Sequence, residues 1–184
     1  MGKIIAIVGM CGSGKSVACD YLENLGYKKV YFGGVTMDKL KEIGLEITPD
    51  NEKMMREKLR QDLGMGAYAK VLLPKIKELS INNNVVLDGL YSWDELVILN
   101  NEFKMTTIAV VEDKKLRYER LEKRVVRPFS KSDAIKRDIS EIENIAKAGP
   151  IAYADYYIFN NSTINDFHNR LAEILSDLGS DNFE

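Results

Sequence analysis

A chain of 184 residues with 45% hydrophobic side chains is long enough for one well-cored α/β domain. Its formal net charge of −2 excludes the global basic field with which nucleic-acid-binding domains gather phosphates, so no nucleic-acid partner is expected. Two cysteines, Cys11 and Cys19, cannot build a disulfide framework, and no apolar run approaches the roughly 20 residues that span a bilayer. A cytoplasmic chain with reduced thiols and no membrane contact is the expectation; nothing in the sequence specifies an oligomeric state.

The apolar run Lys3–Val8 predicts a buried strand, too short and too poor in small residues at its end for a secretory leader. Gly9-Met10-Cys11-Gly12-Ser13-Gly14-Lys15-Ser16 follows at once and fits G-x-x-x-x-G-K-[ST], with a strand before it and a helix after it. Gly9, Gly12 and Gly14 let the backbone fold tightly around phosphate oxygens. The amides around Ser13, with the helix N-terminus, form an anion-binding concavity. Lys15 is expected to reach the β- and γ-phosphates, and the Ser16 hydroxyl to ligate Mg²⁺. The pattern predicts ATP and Mg²⁺ as cofactors. Cys11 occupies a variable position of the loop and is read as a bystander.

The first helix is predicted from Lys15 to Leu25, stopped by Gly26, and a second strand over Lys29–Phe32. The interval 33–80 holds helical patterns and no convincing strand. Thr48-Pro49-Asp50 marks a helix start, with Thr48 as N-cap and Pro49 in the first helical position. Such an interval suits an acceptor-binding insertion. Arg56 and Arg60 stand one turn apart on the Pro49–Leu63 helix and read either as acceptor-phosphate ligands or as ordinary surface arginines.

Val85–Leu87 predicts a third strand, and Asp88 at its C-terminal end would face the ligand crevice and hold Mg²⁺. Tyr91 and Trp93 follow. Tyr91 is a candidate acceptor contact, whereas Trp93 is assigned to the core. After the strand Met105–Val111 comes a basic lid region, 113–137, with ten Lys/Arg against four acids. Arg120, Arg124, Arg127 and Arg137 are the expected catalytic clamp, because the planar guanidinium fork pairs with phosphate bidentately. Lys114, Arg117 and Lys123 are assigned to a solvated helix face, and Ser130 or Ser132 is expected to cap the next helix. Asp155–Phe159 predicts the fifth strand. The last helix carries an apolar face from Ile164 through Phe167, Leu171 and Ile174 to Leu178, with His168 in a structural role. Strands alternating with helices predict a three-layer α/β fold on a five-stranded parallel sheet, the 184 residues forming one domain.

Together these residues resemble the small P-loop kinases, in the branch of nucleoside monophosphate kinases and dephospho-CoA kinase. Gly9–Ser16 looks like their P-loop, Leu87-Asp88-Gly89 is similar to the Asp-Gly step of adenylate kinase, and Arg120-Leu121-Glu122-Lys123-Arg124 looks like the R-L-x-x-R lid segment. Ala154–Ser162 resembles their final strand and adenine loop, which implies nucleotide contacts from Asn160 and Ser162. The resemblance implies the P-loop NTPase fold and phosphoryl transfer from ATP to a nucleotide-like small molecule. The sequence departs from both templates at the acceptor. Tyr31-Phe32-Gly33-Gly34 stands where dephospho-CoA kinases carry an Asp, and Leu90-Tyr91-Ser92 where adenylate kinases carry Phe-Pro-Arg. A nucleotide-binding switch without transferase activity, or a kinase of a non-nucleotide metabolite, are the alternatives.

Overall fold

The computed structural model describes residues 1–125 and 128–180. The described chain runs β1 (Ile4–Val8), α1 (Lys15–Asn24), β2 (Lys28–Tyr31), α2 (Gly34–Glu42), α3 (Pro49–Leu63), α4 (Ala67–Ser80) and β3 (Val85–Asp88). It continues through α5 (Trp93–Glu102), β4 (Thr106–Val111), α6 (Lys114–Glu122), α7 (Lys131–Ile145), α8 (Ala148–Ala152), β5 (Tyr156–Phe159) and α9 (Ile164–Ser180). The five strands form one sheet in the order β2-β3-β1-β4-β5, every pairing parallel.

β1 lies at the centre, and all five of its residues are buried, as a strand covered on both faces requires. Side chains alternate across a strand, so β1 divides its residues between two cores. Ile4, Ala6 and Val8 join Val85 and Leu87 beneath the insertion, packed with Met55, Leu59, Tyr68, Ile76, Leu96 and Leu99. Ile5 and Ile7 join Val86, Ile108 and Ile158 on the opposite face, covered by Ala18, Cys19 and Leu22 of α1 and by Phe167, Leu171 and Ile174 of α9. The result is the three-layer α/β arrangement of P-loop NTPases, with α1 and α9 on one side and the insertion helices on the other.

Local chemistry sets the helix ends. Thr48 accepts from the Asn51 amide at 3.2 Å, with Pro49 opening α3. Ser130 does the same for Asp133 at 3.1 Å and opens α7. Ser92 and Glu95 form a reciprocal capping box at the start of α5. Here one expectation fails. Trp93 is 38% exposed rather than in the core. As the first residue of α5 it points away from the sheet, stacks edge-on against Tyr153 at 5.5 Å, and leaves the core positions to Leu96 and Leu99. His168 lies half-buried against Tyr21, ring centroids 4.8 Å apart, as a structural role requires.

Candidate functional site

Parallel strands deliver their C-terminal ends to one edge of the sheet, and there β1, β3 and the lid helices enclose a cavity of about 290 Å³. Its floor is the Gly9–Ser16 loop. Gly12 and Gly14 adopt φ of +85° and +100°, the left-handed region that glycine tolerates. A Cβ would also strike the Leu121 side chain at 2.7 Å from position 12 and the Asn160 amide at 2.4 Å from position 14. Gly9 is packed so closely that a Cβ would lie 2.4 Å from the Val110 carbonyl oxygen.

The loop carbonyls are drawn away by side chains. Lys15 Nζ donates to Met10 at 2.9 Å, Arg117 Nη1 to Cys11 at 3.0 Å, and Asn160 Nδ2 to Ser13 at 2.9 Å. The Ser13 hydroxyl is buried with no hydrogen-bond partner among the described residues. An unsatisfied buried hydroxyl beside a glycine-bounded concavity and a lysine is a donor set that fits phosphate oxygens.

Ser16 and Asp88 both line the cavity. Burial raises the Asp88 carboxyl above its ordinary value, against the opposing pull of Lys15, Lys29 and the Cys19 thiol that hydrogen-bonds to it. One hydroxyl and one carboxylate fit a magnesium ion that takes its other ligands from phosphates and water. Among the described residues no cluster of three or more His, Cys, Asp or Glu forms a self-sufficient metal site.

The opposite wall comes from the lid. Arg120, Leu121 and Arg124 line it from α6 and its end, and Arg137 and Glu141 from α7. Arg120 also pairs with the buried carboxylate of Glu112 at 2.7 Å. Thus Lys15, Arg120, Arg124 and Arg137 of the expected catalytic set meet in one cavity, joined by Tyr91. Arg127 lies outside the described residues.

Gly9, Ser13 and Asn160 belong to or pack on the loop without lining the cavity, and three further expected contacts stand elsewhere. Arg56 pairs with Glu52 at 3.4 Å, and Arg60 lies with its guanidinium carbon 5.6 Å over the Tyr68 ring. Neither lines the cavity. Ser162 is exposed outside it, beside Asp166.

Two residues of the wall were missed by the sequence reading. Glu141 accepts from Arg137 Nε at 2.7 Å and from Lys147 Nζ at 2.6 Å. Lys147 is 2% exposed, and its ammonium lies 4.8 Å from the centre of the Tyr91 ring. It arrives there because Ala146 takes a left-handed φ of +49° at the end of α7, turning the chain inward. Burial opposes the charge on Glu141, yet Lys147 and Arg137 outweigh it and hold the carboxyl below its usual value. Burial and then Lys147 push Lys15 down to about 8.

Arg117 is a correction. It does not sit on a solvated face: it is 5% exposed and forms a two-pronged ion pair with Asp138 of α7. The signal was present in its helical spacing with Arg120 and Arg124, but its buried acid partner is 21 residues away.

A family model described as an AAA domain matches residues 5–143. A UPF0200 protein of Sulfurisphaera tokodaii is 36% identical over 177 residues, covering 94% of this chain and 96% of that protein. The chain belongs to the UPF0200 family and carries an AAA domain. Solved structures extend the fold comparison. The shikimate kinase of Acinetobacter baumannii superposes with a TM-score of 0.63 at 17% identity, covering 100% of this chain and 97% of that one. A gluconokinase of Sinorhizobium meliloti gives 0.61 at 15% identity, covering 99% and 95%. The UPF0200 chain therefore has the fold of P-loop kinases; the dephospho-CoA and adenylate kinase branch is not singled out by these likenesses. Among the described residues of this UPF0200 protein, no helix is long and apolar enough to cross a membrane.

Proposed function

We propose that this protein is an ATP- and Mg²⁺-dependent phosphotransferase whose acceptor is a small nucleotide-like molecule. The observation that carries the reading is the convergence of Lys15, Arg120, Arg124, Arg137 and Lys147 on one cavity that, among the described residues, holds only two acids, Asp88 and Glu141. Phosphoryl transfer through a loose transition state spreads charge over the equatorial oxygens, so its catalysis rests on positioning and on cations. A nucleotide-binding switch needs the loop and the metal; it has no need of a second cationic wall.

In this reading the loop amides, the Ser13 hydroxyl and Lys15 hold the donor phosphates. Ser16 and Asp88 would hold Mg²⁺, which would neutralise charge on the donor phosphates. Arg120, Arg124 and Arg137 close on the transferred group and exclude the water that would otherwise hydrolyse ATP. Arg127 is assigned to the same clamp. Tyr91 borders the acceptor side. Arg56 and Arg60 would meet only an acceptor that extends beyond the cavity into the insertion, as a nucleoside monophosphate or dephospho-CoA does. A kinase of a compact metabolite is the second reading, favoured by the fold likeness to a shikimate kinase and a gluconokinase.

The test is ADP formation from Mg·ATP with dephospho-CoA, nucleoside monophosphates, shikimate and gluconate, with Lys15→Ala as the blank. Stimulation by a nucleotide-like acceptor that vanishes in the variant supports the proposal. Stimulation by shikimate or gluconate alone supports the second reading. ATP binding without stimulation by any acceptor supports the switch.

A further inference from the structure

The P-loop works only if its amide N–H groups face the phosphates, and a loop of small residues has no intrinsic reason to hold that orientation. In a trans peptide the carbonyl and the following N–H point in opposite directions. Whatever captures the Cys11 carbonyl therefore fixes where the Gly12 N–H points. Here the captor is Arg117, whose Nη1 donates to that carbonyl at 3.0 Å. Arg117 is not among the residues that line the cavity, whereas Gly12 is.

The same guanidinium is locked from behind. Nη1 also donates to Asp138 Oδ1 at 2.8 Å, Nη2 pairs with Oδ2, and the Tyr118 hydroxyl donates to Oδ2 at 2.8 Å. Arg117, Tyr118 and Asp138 are 5%, 8% and 7% exposed. A buried ion pair is a poor way to fasten two helices, since well-packed apolar residues do as well or better. What an apolar pair cannot do is donate to a backbone carbonyl of the loop.

Resting on the nucleotide-binding reading, the geometry points to Arg117 as a positioning residue that aims the Gly12 amide into the phosphate cradle, with Asp138 of α7 holding it there. The lid helix and the P-loop are thereby one mechanical unit. A lid element that moves without Asp138 releases the peptide; one that carries Asp138 with it keeps the cradle set.

The test uses the full chain and inorganic tripolyphosphate, which reads the cradle without a base. The wild type is expected to bind it with a shift of the Gly12 amide resonance. Arg117→Met/Asp138→Leu removes both charges together, leaving the net charge unchanged. It is expected to melt within a few degrees of the wild type but to bind about tenfold more weakly, the worth of one hydrogen bond to a charged group, with the Gly12 shift reduced. Arg117→Lys can reach the carbonyl or the carboxylate but not both, and is expected to fall between.

Unchanged affinity and an unchanged Gly12 shift in the double variant overturn the proposal, as they do in Arg117→Lys if the double variant does not fold. A lower melting temperature alone, with Gly12 unmoved, assigns the pair to helix fastening and likewise overturns it. Failure of the wild type to bind tripolyphosphate overturns instead the nucleotide-binding reading beneath it.

Discussion

On one side of the cavity the groups that face a ligand come from one short loop, Cys11, Gly12 and Gly14–Ser16; on the other they come from Arg137, Glu141 and Lys147, with Arg120 on α6 and Arg124 just beyond its end. The first wall is mostly backbone, and its only cation is Lys15. The second is side chain throughout, and two of its cations, the exposed Arg137 and the buried Lys147, share one carboxylate. A backbone cradle is set by local conformation, by φ of +85° at Gly12 and +100° at Gly14. A side-chain wall is set by mutual electrostatics and collapses or rearranges when one charge is removed. The two walls should therefore fail differently.

The largest effect is expected at Lys15. Lys15→Met leaves the backbone cradle in place and removes the charge that, in the proposed function, meets the developing negative oxygens. We expect acceptor-dependent turnover to fall by about 10³-fold, in line with the loss of a preorganised transition-state donor, while the melting temperature rises or stays level. Stability should not suffer, because burial already disfavours the charged lysine. Steady-state ADP formation alongside thermal denaturation checks both halves, and a large loss of stability would contradict the independence of the cradle.

The opposite wall should show the reverse pattern. Glu141→Gln leaves the buried Lys147 without its anion and the exposed Arg137 without its partner, so the fold should lose about 3 kcal/mol, the usual cost of breaking a buried ion pair. Tripolyphosphate supplies the missing negative charge and should raise the melting temperature of the variant by more than it raises that of the wild type. Equal ligand-induced shifts would mean that the two walls do not share an electrostatic field.

Proton linkage sharpens the comparison further. Lys15 titrates near 8 in the folded protein against 10.5 in an ordinary setting. The unfolded chain therefore holds this proton between about pH 8 and 10.5 when the folded chain does not, so this group's contribution to stability rises with pH across that window. Phosphate restores the charged form. Above pH 8 nucleotide binding should take up as much as about one proton, and affinity should fall by up to tenfold per pH unit. Calorimetry at pH 8.5 in two buffers of different ionisation enthalpy measures the uptake. It should disappear in Lys15→Met.

Most of the fold and one of these walls could be read from the sequence for the same reason: both are written in short-range patterns. Five apolar runs gave the strands to within one or two residues, Thr48-Pro49 gave the start of α3, and the glycine-lysine spacing gave the loop. The second wall depends on pairings that no window contains. Lys147 reads as one more charged residue until the left-handed turn at Ala146 sends it inward. Arg117 reads as solvated until Asp138, 21 residues on, buries it. Trp93 reads as core because it is large and apolar, yet the capping box of Ser92 and Glu95 places it at a helix start facing outward. Periodicity reports which face of an element is apolar, and is silent on which charged residues will find one another across the fold.

The smallest expected effect tests a residue whose role differs between family resemblance and geometry. The resemblance assigns Asn160 to the nucleotide base. In the structure its side-chain amide donates to the Ser13 carbonyl at 2.9 Å and packs directly on Gly14, while its backbone N–H continues the sheet to Val111 at 2.8 Å. By the trans-peptide argument, that bond aims the Gly14 N–H at the start of α1. Asn160 is only half-buried, so water can replace the lost donor in Asn160→Ala, and nucleotide affinity should fall by about threefold, a typical net worth for a neutral hydrogen bond. The decisive readout is the ratio of ATP to GTP affinity. A support of the loop lowers both together and leaves the ratio alone. A change in the ratio would return Asn160 to the base and add a third, side-chain element to a wall that otherwise depends on backbone.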